Sequence, residues 1–307
     1  MKNDKLIGVE RIEIELADTT LNVKRYTQRY KDIVNDAVRM IEKDGLPIDE
    51  LTFFERVWLI FGYRMCWLPN EFLWFTMHNE YLQLDCNTAA FLIYDIGNQL
   101  GIRTNIVLVP EHVLIKTDIY YFETTDGTHY PISKINEHWP IRHYEGHDAE
   151  KIHAISYNVR GCDFNLLSTH MRKGLSAQIK SLLGTDYAIE ALNTAIGKIP
   201  VYALAYHNRA KRKMELLRAD DAIKDYDLAL KHYPNCWKAY DGRARAQYSK
   251  LVYGQGGSPE KIRDDFSRAL KIIDNLLQIR RDANEQEELL GSRKEILGYL
   301  QDDPRLN

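Results

Sequence analysis

Ala188, Ala195 and Pro200 recur as Ala222, Ala229 and Pro234, each 34 residues later. A period of that length is one helix–turn–helix unit, which cannot bury its apolar face alone and must stack on copies of itself. From about Asn165 onward the chain is therefore expected to be all-helical. The clearest unit runs from Ala203 to Cys236, with Ala210, Ala222, Tyr226, Ala229 and Pro234 at its small, aromatic and terminating positions. Small residues let paired helices approach, and proline ends the second helix. A further unit starts near Trp237 and carries Tyr240 and Ala244. It takes an insertion, Tyr253-Gly254-Gln255-Gly256-Gly257, before Ser258-Pro259-Glu260 opens a helix with Phe266 and Ala269. The unit ending at Pro200 is degenerate in its first helix, and Asp282 to Leu300 reads as a charged terminal helix that caps the array. The glycines at 254–257 lack the Lys-Ser/Thr of a phosphate loop, so no nucleotide site is expected.

At 307 residues the chain has room for two domains, expected at 1–164 and 165–307. With 45% hydrophobic and 28% charged residues it reads as an ordinary soluble globular protein. A formal charge of −3 gives no footprint for nucleic acid or an anionic membrane, so neither is expected as a partner. The N-terminal Met1-Lys2-Asn3-Asp4-Lys5 is polar and has no signal-peptide pattern, and Val57 to Tyr63 is far short of a membrane span. Cys66, Cys86, Cys162 and Cys236 are scattered without paired spacing, which fits a reducing, cytoplasmic setting. The first eighty residues read as helical, with Tyr26, Tyr30, Ile33, Ala37 and Ile41 on one face. The aromatics Phe53, Phe54, Trp58 and Phe61, with Trp67, Trp74 and Phe75 beyond them, are expected to form a packing layer.

The stretch with chemical promise begins at Leu84-Asp85-Cys86. Ala89, Ile93, Ile96 and Leu100 repeat at helical spacing and Gly101 is a natural stop. Asp85 is a candidate N-cap, which puts Cys86 in the first turn, where unpaired N–H groups and the helix dipole favour a thiolate and could hold an oxyanion. Val113–Lys116 and Ile119–Thr124 read as a hairpin about Thr117-Asp118. A two-residue loop pairs Lys116 with Ile119 and brings His112 directly opposite Glu123, a carboxylate able to orient an imidazole. A four-residue loop is expected to keep that register, whereas an odd-length loop would make Asp126 the acid instead. Gln83, near Cys86, is a candidate oxyanion donor.

Cys86 opening a helix, His112 opening a strand and an acid on the next strand resemble the transglutaminase-like superfamily, the papain-related cysteine fold. Glu111-His112-Val113-Leu114-Ile115 and Phe122-Glu123-Thr124-Thr125-Asp126-Gly127 are similar to its bacterial branch that carries tetratricopeptide repeats, and the 34-residue units resemble those repeats. The resemblance implies an α+β domain of a helical lobe and a small antiparallel sheet, followed by the repeats. It also implies a nucleophile at Cys86, a base at His112 and an orienting acid at Glu123. Glu stands where the wider superfamily usually has Asp, and Leu114 where an aromatic often follows the histidine.

Two functions are compatible with this reading. One is a cysteine protease, amidase or acyl transferase acting on a protein or peptide amide, with the repeats recruiting the partner. The other is a non-catalytic interaction scaffold that keeps the triad-like core. No cofactor is expected. His143 and His147 have the i,i+4 spacing of a metal pair, with His138 and Asp148 close by in sequence, but no third ligand has motif spacing and Pro140 and Gly146 oppose a long helix. Arg209-Ala210-Lys211-Arg212-Lys213 is basic enough to take an acidic tail, or is simply a solvated helix face.

Overall fold

A computed structural model describes residues 6–17, 21–62, 84–109, 112–125, 127–134, 144–146, 149–162, 177–279 and 283–306. The fold is mainly helical with one small antiparallel sheet, an α+β arrangement. The chain divides into two compact units, Met1–Leu175 and Ser176–Asn307. The boundary expected after residue 164 falls among residues 163–176, outside the described residues.

The first unit contains α1 (Ile7–Leu16), α2 (Val23–Glu42), α3 (Glu50–Phe61) and α4 (Cys86–Gln99). The strands β1 (Asn105–Val109), β2 (His112–Lys116), β3 (Tyr120–Glu123), β4 (His129–Pro131) and β5 (Tyr144–Gly146) follow, then α5 (Ala149–Ile152) and α6 (Ala154–Cys162). The sheet order is β4-β3-β2-β1-β5, antiparallel throughout.

The central element is α4. Ala89, Ala90, Phe91, Leu92, Ile93 and Ile96 are all fully buried, so this helix has almost no solvent face and the other elements wrap it. Its start is set by Asp85, whose Oδ1 accepts from the Thr88 N–H at 2.7 Å, and its end by Gly101 at φ +78°. In α2 the expected face is buried through Tyr26, Tyr30, Ala37 and Ile41, while Val34 rather than Ile33 takes the inward place in the middle turn. In α3, Asp49 caps the helix by accepting from the Thr52 N–H at 2.8 Å, and Phe54 stacks on Phe122 of β3 with ring centroids 4.4 Å apart. Phe53, Phe54 and Phe61 thus form part of the expected aromatic layer; Trp67, Trp74 and Phe75 lie outside the described residues.

Polar groups fix α1. Leu6 offers it no side-chain cap, and Asp95 of α4 accepts instead from the Ile7 N–H at 3.0 Å, the Gly8 N–H at 2.9 Å and the Tyr30 hydroxyl at 2.8 Å. Arg11 pairs with Glu15 at 2.7 Å, both side chains fully buried, and lies 4.7 Å from the Phe91 ring centre. Glu10 reaches His153, at the start of α6, at 2.7 Å.

The second unit is a run of antiparallel helices, α7 (Ala177–Lys198), α8 (Ala203–Glu215), α9 (Ala219–His232), α10 (Trp237–Val252), α11 (Pro259–Ile279) and α12 (Ala283–Asp302). The 34-residue offset survives in three dimensions, since α8 starts at Ala203 and α10 at Trp237. After the insertion the offset becomes 40, so that Tyr226 and Ala229 of α9 correspond to Phe266 and Ala269 of α11. Ala210, Ala222, Tyr226, Ala229, Ala244, Phe266 and Ala269 are all buried in one core. The basic stretch at 209–213 is largely neutralised within the fold. Arg209 forks onto Asp225 at 2.7 and 2.8 Å, Lys213 reaches the same carboxylate at 2.7 Å, and Arg212 pairs with Glu215 at 2.7 Å. Arg243 repeats the first of these contacts on Asp265, at 2.6 and 2.8 Å.

Between α8 and α9, Leu217 adopts φ +59° and is 81% exposed. A left-handed backbone costs an L-residue with a Cβ about 1–2 kcal/mol, and this side chain gains little burial in return. Leu217→Gly is expected to raise the unfolding free energy of the full chain by about 0.5–1 kcal/mol, measured as a higher urea midpoint at unchanged m-value.

Candidate thiol–imidazole–carboxylate site

Cys86 is the first residue of α4, and its thiol is half-buried. The Asp85 carboxylate under it is fully buried and accepts from the Thr88 N–H and hydroxyl, each at 2.7 Å, and from the Asn87 amide at 3.2 Å. The Cys86 and Asn87 N–H groups lie in the first turn, where no intrahelical acceptor exists. They point the same way as the helix dipole.

His112 opens β2 and Glu123 closes β3, but they are not directly opposed. The ladder pairs Lys116 with Tyr121, Ile115 with Phe122 and Leu114 with Glu123, two residues away from the expected register. The cause lies in the turn. Glu50, in the first turn of α3, accepts from the Thr117 hydroxyl, from the Asp118 N–H at 3.2 Å and from the Ile119 N–H at 3.0 Å. Thr117 also closes on Tyr120, its N–H donating to the Tyr120 carbonyl at 2.8 Å. The reversal therefore occupies Thr117 to Tyr120, so β2 still ends at Lys116 while the pairing on β3 begins two residues later, at Tyr121.

A two-residue shift preserves which face each side chain occupies, so His112 and Glu123 remain on one face as diagonal neighbours. Diagonal positions are roughly 7–8 Å apart, and the extra methylene of Glu relative to Asp helps to span that gap. Glu123 Oε1 lies 2.6 Å from His112 Nε2. With Nε2 so engaged, Nδ1 is the nitrogen left for the thiol, and the imidazole is within hydrogen-bond reach of Cys86.

The pair is secluded, with side-chain exposures of 10% for His112 and 8% for Glu123. Burial alone would drive the ring neutral. The negative charges of Glu123 and of the Cys86 sulfur outweigh it and hold His112 at about 10. For Glu123, burial raises the carboxyl, but the His112 charge and hydrogen bonds from His112 and Thr125 win and keep it below the ordinary value. Thr125 donates its N–H at 2.9 Å and its hydroxyl at 2.7 Å to Oε1, the same oxygen that faces His112. The loop beyond is tight, with the Glu123 N–H donating to the Thr128 carbonyl at 2.7 Å. Gly127 stands at φ +74°, where a Cβ would lie 2.5 Å from the Trp58 ring.

Of the residues expected at the site, Cys86, His112 and Glu123 come together. Gln83 and Asp126 lie outside the described residues, as do His138, His143, His147 and Asp148. Among the described residues no group of three His, Cys, Asp or Glu side chains could hold a metal ion, and no helix is long and apolar enough to cross a membrane. The sequence reading missed Glu50 and Thr125, whose roles depend on register and rotamer and leave no motif. Compared with known proteins, the chain matches no family model and no curated protein.

The signs of these shifts fix a pH dependence. The raised His112 value contributes stability that is complete below its ordinary 6.5 and lost as pH rises through about 10. The lowered Glu123 value contributes stability that is complete above 4.5 and lost as pH falls through its depressed value. Both contributions are full between those two ordinary values. Glu123→Gln removes the charge but leaves the burial, so the His112 ring in this variant is expected to titrate below pH 7, read from its NMR resonances.

Proposed function

We propose that this chain is a cysteine acyl-transfer enzyme of the transglutaminase-like kind, acting on a carboxamide or peptide bond of a protein substrate. The observation that carries the reading is the convergence of Cys86, His112 and Glu123, with Nε2 and Oε1 2.6 Å apart beside a thiol at a helix start.

In this reading the Cys86 thiolate adds to the carbonyl carbon, and the oxygen takes up the negative charge facing the first-turn N–H groups of α4. The intermediate collapses by breaking the C–N bond. The imidazolium gives its proton to the departing nitrogen, which leaves as ammonia or an amine. Neutral His112 then takes a proton from water or from an acceptor amine as that nucleophile attacks the thioester, and the returning proton and thiolate restore the resting pair. Glu123 keeps the ring in the rotamer that faces the sulfur and offsets its positive charge.

The helical hairpins, read as tetratricopeptide repeats, supply the partner surface in this proposal. A cavity of about 300 Å³ between α9, α10 and α11, lined by Ile223, Asp227, Arg243, Gln247, Lys261 and Arg268, offers both signs of charge to a polar peptide segment. A cytoplasmic setting belongs to the same proposal, supported by scattered cysteines of which Cys86 and Cys236 are free thiols.

Iodoacetamide labelling of the full chain tests the thiol. Fast labelling of Cys86 at neutral pH is expected, absent in Cys86→Ser and slowed tenfold or more in His112→Ala. A glutamine-containing peptide offered with hydroxylamine should give a hydroxamate, with turnover lost by about a hundredfold or more in His112→Ala. Labelling that follows an ordinary thiol and ignores His112→Ala would overturn the enzyme reading in favour of an interaction scaffold.

A further inference from the structure

The acid at this site is itself held, by a residue two places further along the chain. Glu123 is the last residue of β3, with no following ladder pair to fix its side chain. A glutamate at a strand end has three rotatable bonds, and keeping its carboxylate on a diagonal neighbour needs a restraint. Thr125 supplies two, because its N–H and its hydroxyl both converge on Oε1 at 2.9 and 2.7 Å. That oxygen also faces His112 Nε2, so it has three donors around it.

We infer that Thr125 is a positioning residue of the Cys86–His112–Glu123 site: its hydroxyl locks the glutamate rotamer that reaches His112 across the diagonal. The inference rests on the reading of His112 as the partner of Cys86, and it adds a determinant which that reading does not require. The backbone N–H alone leaves the carboxylate free to pivot about the N–H···O contact. The hydroxyl, arriving from a second direction, removes that freedom. In Thr125→Val a methyl group replaces the hydroxyl against Oε1. An apolar group there leaves a buried anion one donor short, and the carboxylate swings away from the ring. Thr125→Ser keeps the donor and loses only the methyl.

The test is the titration of the His112 ring followed by NMR between pH 5 and 11 in the full chain, with iodoacetamide labelling of Cys86 on the same samples. In Thr125→Val, with circular dichroism unchanged, His112 is expected to titrate about one pH unit lower than in the parent chain, a tenfold loss of proton affinity, with slower labelling at neutral pH. Thr125→Ser is expected to restore both. Parent-like titration in a folded Thr125→Val chain would overturn the positioning role while leaving the base reading intact. So would an equal loss in Thr125→Ser, since that points to the methyl group. An ordinary His112 titration in the parent chain, indifferent to Cys86→Ser, would instead overturn the base reading itself. If Thr125→Val does not fold, Thr125→Ala, which leaves space for water at Oε1, is read by the same titration, with a smaller downward shift expected and no shift overturning the role.

Discussion

A single buried carboxylate joins three helices of the first unit. Asp95 takes the first two N–H groups of α1 and the hydroxyl of Tyr30 on α2, while its own backbone belongs to α4. Its burial costs more than those bonds return, and the carboxyl rises to about 7, pushed mainly by desolvation and opposed by the bonds from Gly8, Tyr30 and Ile7. What the group contributes is the placement of its neighbours. It holds α1 and α2 against the helix whose first residue is Cys86. Arg11, Glu15 and Phe91 extend the same contact. The thiol is thus placed by a helix fixed at both ends, by Asp85 at its start and by packing and Asp95 in its last turns.

The imidazole and the acid are placed by the sheet, and the sheet takes its register from α3. Glu50 holds the β2–β3 reversal through two N–H groups and a hydroxyl. A side chain some sixty residues upstream therefore decides which residue stands across from His112. Parity matters more than exact pairing here. An odd slip would send Glu123 to the other face, whereas the two-residue slip that occurs only lengthens the reach.

Much of this could be read from the sequence, and the failures have physical causes. Asp85, Cys86 and Gly101 mark α4 because caps and stops are local. Ala210, Ala222, Tyr226 and Ala229 mark the hairpins because helix packing repeats with the chain. By contrast α1 carries the alternation Ile12-Glu13-Ile14-Glu15-Leu16, which has no helical period, and it is held by partners far away in sequence. The β2–β3 register was misjudged because Glu50 is invisible to any local turn rule. Thr125 stayed hidden because one threonine among others says nothing until the rotamer of Glu123 is known. The basic run at 209–213 looked available because its acids, Asp225 and Glu215, are brought in by the fold.

The arginine forks of the second unit have an effect on how that unit comes apart. Arg209 holds Asp225 of its own hairpin and, through its other nitrogen, Asn193 of the preceding helix at 2.7 Å. Arg243 likewise joins Asp265 ahead and Asp227 behind, with Asn193 and Asp227 themselves 34 residues apart. Each guanidinium is a rivet through consecutive layers, and Asp225 and Asp265 are nearly sealed from water, at 3% and 7% side-chain exposure. A hairpin that peels off keeps its own arginine–aspartate pair and gives up the bridge to the layer before it, from Arg209 to Asn193 or from Arg243 to Asp227. The guanidinium bridges couple the opening of one layer to that of the layer before it, and the buried pairs hold each hairpin together as it leaves.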